Sequence, residues 1–214
     1  MSDKDILALK LLTDCFKSFD TTIPPYDENV ISTYMWYAEL VSAAECCIDK
    51  LERLYNLVAV CEQGCSSCCH HPILVWRIEA KVISCHLEKS LSAHQKYHLK
   101  KKISGICRRL HKEVLDIIEP DNEVAFKIRY FAANISCPLL DDTRKCLAYP
   151  VRPISCLTYK AYGNPGDCNS SIIFNSGRRW EGVERIMTKC IFTRTGNTGN
   201  LSIAYLPTAL LKLL

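Results

Sequence analysis

Four of the chain's fourteen cysteines fall within nine residues, Cys61-Glu-Gln-Gly-Cys65-Ser-Ser-Cys68-Cys69. A loop built on Gly64, Ser66 and Ser67 has no apolar face on which four thiols can pack as core. Short spacers let one turn aim several sulfurs at one point, and the amides of such a turn donate to thiolates. Those are the requirements of a thiolate-ligated metal. A second set follows at Cys137, Cys146, Cys156 and Cys168, in a stretch punctuated by Pro138, Pro150, Pro153, Gly163, Pro165 and Gly166. The eight loop cysteines Cys61, Cys65, Cys68, Cys69, Cys137, Cys146, Cys156 and Cys168 are the candidate metal ligands.

Fourteen cysteines in 214 residues, about 6.5%, lie below the roughly 8–10% that marks a disulfide scaffold. The apolar run Ile6–Leu9 is broken by Lys10, so no secretory signal is read. A cytoplasmic protein with reduced thiols is expected. Apolar runs such as Ile73–Trp76 are far shorter than the roughly 20 residues of a membrane span, and no membrane is expected. A net charge of +4 is too weak to call for nucleic acid as a partner.

Apolar periodicity predicts a mostly α fold. Leu9, Leu12, Phe16 and Phe19 mark a helix over 5–19. Tyr37, Leu40, Ala44, Cys47, Leu51, Leu54 and Val58 mark a second over about 27–59, with Gly64 as its stop. A third helical region covers 77–118, with a break expected near Ser104-Gly105 and Glu119-Pro120-Asp121 as its end. Ile73–Trp76 reads as a short strand or a lead-in. Cys137–Leu140 and Cys146–Tyr149 flank a polar turn, Asp141–Arg144, as in a hairpin. A last helix is expected over 178–192, and the apolar tail Leu206–Leu214 closes the core. The expected architecture is one domain, 1–214. Helical regions 1–60 and 176–214 form a scaffold for an irregular cysteine-rich metal-binding lobe with short hairpins, 61–175.

The other six cysteines read differently. Cys47, Cys107 and Cys190 stand in helical stripes among Leu, Val and Ile, and Cys15 and Cys85 lie near apolar faces. All five read as small buried hydrophobes. Cys46, beside Asp49 and Lys50, reads as exposed and has no assigned role.

Spacing alone leaves the metal open. Eight thiolates suit two tetrahedral zinc sites, one 4Fe-4S cluster with four left over, or one of each. The C-x3-C-x2-C part also has the spacing of radical SAM enzymes. However, Ser67 stands where those enzymes carry an aromatic residue, and the 145 residues after Cys69 are too few for their barrel.

Together, Cys61-x3-Cys65-x2-Cys68-Cys69, Cys137-Pro-Leu-Leu-Asp141, and Cys146-x2-Tyr149-x2-Arg152-Pro153-x2-Cys156 with the later Cys168 resemble the YkgJ-type cysteine-cluster family. That family is of zinc- or iron-chelating proteins. Ile78-Glu79-Ala80 resembles the opening of the helix that follows the family's first cluster. Ser66 stands where the family often has glycine, and His70 and His71 are additional. A related pattern occurs in the longer FliB-type flagellin lysine N-methylases. The resemblance implies a metal site. No Gly-x-Gly-x-x-Gly supports SAM binding.

Positive neighbours are expected around an anionic site, and Arg144, Lys145, Arg152 and Lys160 lie among the later cysteines. Ser66, Ser67, Ser136 and Ser155 stand beside cysteines as further donors. From His94 to Lys112 there are seven Lys/Arg and no acid, a solvated face or a contact for an acidic protein or peptide. His94 and His98 share a helix face without an evident third ligand.

The sequence thus supports a cytoplasmic metalloprotein, iron–sulfur ahead of zinc, acting as a redox or accessory component or in peptide or protein modification. The alternatives are a protein-modifying enzyme such as a lysine N-methylase, and a structural zinc module that presents the basic stretch to a partner.

Overall fold

The computed structural model describes residues 2–19, 30–61, 64–116, 123–163, 177–195 and 202–214. Most of these residues are helical. Helix α1 (Asp3–Phe16) starts in a capping box, with Ser2 Oγ accepting the Asp5 amide and the Asp5 carboxylate accepting the Ser2 amide. It packs along α2 (Val30–Tyr55). On α2 the expected stripe is buried at Tyr37, Leu40, Ala44, Cys47 and Leu51.

Helix α2 ends earlier than the periodicity predicts. Asn56 takes a left-handed backbone, φ 53°, and asparagine is one of the few residues that ends a helix this way. Val58, expected on the buried face, therefore lies beyond the helix and is 83% exposed. Gly64 (φ 93°) turns the chain later, inside the first cysteine loop. The expected start of this helix, 27–29, lies outside the described residues.

The chain then forms strand β1 (Leu74–Trp76), helix α3 (Arg77–Ser90) and helix α4 (Ala93–Leu110). The break between α3 and α4 falls at Leu91-Ser92 rather than at Ser104-Gly105. Ser92 Oγ accepts the Gln95 amide at 3.3 Å and Gln95 Oε1 accepts the Ser92 amide at 2.9 Å. This reciprocal cap starts a new helix, whereas Gly105 runs through α4 without interruption. A π-turn, His111–Leu115, follows α4. The rest of the 77–118 expectation and its Glu119-Pro120-Asp121 stop lie outside the described residues.

Helix α5 (Glu123–Ala132) has no counterpart in the sequence reading. Its Phe126 and Tyr130 join Ile106, Leu110, Val114 and Ile135 in a second, smaller core beside the main one. A short helix α6 (Ile154–Thr158) leads into β2 (Tyr159–Ala161), which pairs antiparallel with β3 (Gly177–Arg179). Helix α7 (Glu181–Thr195) buries Val183, Met187, Cys190 and Ile191. Strand β4 (Ile203–Tyr205) pairs antiparallel with β1, Leu74 opposite Tyr205. Helix α8 (Leu206–Leu211) then buries Leu206 and Leu210, so the apolar tail does close the core. No described helix is long and apolar enough to cross a membrane.

Candidate metal centre

The first cysteine loop ends in a 3-10 turn, Ser67–His70, which carries Cys68 and Cys69. The two thiols are hydrogen-bonded to each other. The Cys137 amide donates to the Cys69 carbonyl at 2.6 Å. Arg144, held at φ 63°, crosses back to donate through Nε and Nη2 to Ser66 Oγ, at 3.0 and 2.8 Å. The two sequence clusters are therefore stitched together at two points.

The hairpin expected around Asp141–Arg144 is present. Leu140 bridges Cys146, the Asp141 amide donates to the Lys145 carbonyl and the Leu147 amide donates to the Leu139 carbonyl. Asp141 Oδ1 also accepts the amides of Thr143 and Lys145 and the Thr143 hydroxyl. This Asx-type turn fixes the separation between Cys137 and Cys146.

Cys156 is set by a buried carboxylate. Glu79, in the first turn of α3, is 2% exposed. Its Oε1 accepts the Ile154 amide and the Tyr37 hydroxyl, each at 2.8 Å, and its Oε2 accepts the Trp76 amide at 2.8 Å. Tyr37 O–H also reaches the Arg152 carbonyl at 3.2 Å. One carboxyl thus joins α2, the β1–α3 junction and the start of α6. Glu79 and Tyr37 were not singled out as functional by the sequence. The available signal was an acid at the third position of a helix, where it caps the preceding amide.

Electrostatics groups the sulfurs. Burial, then the charges of Cys137, Cys68 and Cys146, push the Cys156 thiol well up. Burial pushes Cys137 up to about 12, with Cys146 and Cys68 adding to it and the Leu139 amide and Lys102 opposing. Cys146 is raised by burial and by Cys68, opposed by the Ala148 amide and Arg152. Cys68 is raised first by its bond to Cys69 and then by burial, with Arg152 opposing. Cys68, Cys137, Cys146 and Cys156 therefore share one neighbourhood. Cys61 and Cys65 join it from the side of Cys68. Cys61 is raised by burial, its sulfur accepts the Ala161 amide at 3.4 Å, and Lys160 stands near it. Cys61 and Cys65 are exposed. Cys168 lies outside the described residues. Among the described residues, no three Cys, His, Asp or Glu side chains are arranged as ligands around a common point.

Positive groups lie among these cysteines and are engaged by nearby acids and carbonyls. Arg152 pairs with Glu45 at 2.7 Å and lies over the Tyr149 ring, 4.0 Å from its centroid. Lys160 pairs with Glu52 at 3.0 Å. Lys102 donates to the Leu140 carbonyl, and Arg109 is engaged by Glu113 and by the Ala133 carbonyl. The basic stretch 94–112 is thus partly spent on internal bonds rather than presented whole. His94 and His98 contact each other, Nε2 to Nε2 at 3.0 Å.

Two polar atoms beside the cysteines are buried without a partner among the described residues, His70 Nδ1 next to Cys69 and Ser155 Oγ next to Cys156. Buried polar atoms are normally satisfied. Both orphaned atoms lie next to candidate ligands, a position in which a bound metal group would give them a partner.

Comparison with protein-family models, with curated proteins and with solved structures finds no match for this chain.

Proposed function

We propose that the chain is a metal-binding cysteine-cluster protein of the kind the YkgJ resemblance implies. The ligands come from Cys61, Cys65, Cys68, Cys69, Cys137, Cys146, Cys156 and Cys168, and the segment that carries them is a metal-binding lobe on the helical scaffold. The observation that carries this reading is the pair of contacts that holds the second cysteine segment against the first, the Cys137 amide on the Cys69 carbonyl and Arg144 on Ser66 Oγ. Burial raises Cys137, Cys146 and Cys156, and Cys69 raises Cys68, so all four stay protonated while no cation is near. A metal reverses that logic and takes them as thiolates.

The reading carried forward is a 4Fe-4S cluster, which supplies one-electron transfer and suits a redox or accessory role, including one in protein modification. Arg152 and Lys102 offset the negative charge, and the amides of Leu139, Ala148 and Ala161 donate to sulfur. Zinc is the second reading. The unpartnered His70 Nδ1 favours it, because imidazole is a common zinc ligand. Metal and sulfide analysis of anaerobically purified protein tests both. Iron with equal sulfide supports the first, and zinc without sulfide supports the second.

A further inference from the structure

A second group of thiols lies apart from the loop clusters, where α1 packs on α2. Cys15 sits in the last turn of α1, Cys46 and Cys47 are consecutive on α2, and Lys50 follows within one turn. Cys47 is fully enclosed, Cys15 is half-buried and Cys46 is exposed. From the sequence, Cys15 and Cys47 are expected as separate core residues. In the structure Cys15 lies near enough to Cys47 for its charge to raise the Cys47 thiol, and Lys50 Nζ, one turn along α2 from Cys47, stands 3.9 Å from Cys15 Sγ. Lys50 also bonds Cys46, and the charges of Cys15 and Cys46 raise its own pKa.

The roles within the pair are unequal. Burial, followed by the charge and hydrogen bond of Cys15, pushes Cys47 up to about 12. Cys47 therefore keeps its proton. The Cys15 sulfur receives the Lys50 ammonium and is also the member of the pair that solvent reaches. A partly exposed sulfur beside a lysine is the setting of reactive cysteines.

We propose that Cys15 and Cys47 are an oxidisable pair, in which hydrogen peroxide converts Cys15 to a sulfenic acid and Cys47 closes a disulfide that ties α1 to α2. The Cys15 sulfur attacks one peroxide oxygen, an S–O bond forms, the O–O bond breaks and the leaving hydroxide takes a proton to become water. The Cys47 sulfur then attacks the Cys15 sulfur, an S–S bond forms, the S–O bond breaks and a second water leaves with the Cys47 proton. Two thiols lose two electrons and one peroxide becomes two waters. The pair uses none of the proposed metal ligands, so its test stands apart from the metal reading.

The test uses the whole chain, purified without oxygen and treated with one equivalent of hydrogen peroxide. The products are mapped by mass spectrometry without reduction. The expected product is a cross-link between the peptide holding Cys15 and the peptide holding Cys46 and Cys47. It is retained in C46S and lost in C15S and C47S. A separate reading is the rate at which iodoacetamide alkylates Cys15, with the half-buried Cys85 as internal reference. K50M, at an exposed position, removes the positive charge 3.9 Å from the sulfur and should slow Cys15 alkylation severalfold while leaving Cys85 unchanged. The proposal is overturned by the absence of the cross-link, by a cross-link that needs Cys46 rather than Cys47, or by an unchanged Cys15 rate in K50M.

Discussion

Glu79 holds the Ile154 amide at 2.8 Å from a carboxyl that is 2% exposed, and Ile154 lies two residues before Cys156. This bond connects the helical scaffold to the cysteine-bearing segment. It enters α6 at its first residue, so the direction in which Cys156 leaves the chain depends on a side chain 75 residues earlier. Glu79→Ala leaves the Ile154 and Trp76 amides and the Tyr37 hydroxyl without that acceptor. Each unsatisfied buried donor costs about 1–3 kcal/mol. Urea denaturation should therefore show a loss of at least about 2 kcal/mol, and metal content per chain should fall with it. A variant as stable as the parent contradicts the anchoring role.

Glu79 also carries a pH signature. Burial, the largest influence, raises its carboxyl despite the three donors. A carboxyl raised on folding contributes stability fully below the ordinary glutamate pKa and loses it as pH climbs through the raised value. E79Q has no charge to titrate, so the stability of the parent relative to E79Q isolates this term. In metal-free protein that difference should shift against the parent as pH rises above the ordinary glutamate value of about 4.3. Parallel stability curves for the two proteins would contradict it.

Arg152 combines a 2.7 Å pair with Glu45, a stack on Tyr149 and an influence on Cys68 and Cys146. A planar guanidinium does all three at once, whereas an ammonium does not stack in the same way. R152A should weaken metal retention about 10–100-fold in competition with a chelator, the usual effect of removing an outer-shell partner. R152K should recover only part of it. Unchanged retention in R152A would remove Arg152 from the site.

The break between α3 and α4 rests on Ser92. Ser92→Ala removes the acceptor of the Gln95 amide and should cost about 1 kcal/mol, with Ser92→Gly costing less. Thermal unfolding of the two variants measures this. The ranking reverses if Gly105, rather than the cap, sets the helix boundary.

Much of this fold was legible because apolar spacing reports burial. Tyr37, Leu40, Ala44, Cys47 and Leu51 are all enclosed as their period predicts, and so are Ile103, Cys107, Leu110 and Val114. Boundaries were less legible. A left-handed Asn56 ended α2 before a glycine could, and the Ser92-x-x-Gln95 capping box, a helix-start signal that the reading of Gly105 passes over, divided the third region. Helix α5 was missed because its apolar residues, Phe126 and Tyr130, serve a small separate core that the main stripe does not announce.

At the candidate site the sequence supplied the ligand types, because thiols in glycine- and serine-bearing loops have few structural uses. It could not supply contacts between distant segments. Arg144 on Ser66, the Cys137 amide on the Cys69 carbonyl and Glu79 on Ile154 are all long-range. Spacing along the chain carries no information about them. The same holds for Cys15 and Cys47, which looked like two unrelated core positions until α1 lay against α2.

Metal binding by the loop cysteines is read most directly from the metal, sulfide and visible spectrum of protein purified without oxygen, compared between the parent and its C137S and C156S variants. The expected result is a brown parent with iron and sulfide in equal amounts, both lost in either variant. Zinc in place of iron, lost in the same variants, would refute the cluster and keep the site. A parent that holds no metal, or whose metal content is the same in C137S and C156S, would contradict metal binding by these cysteines.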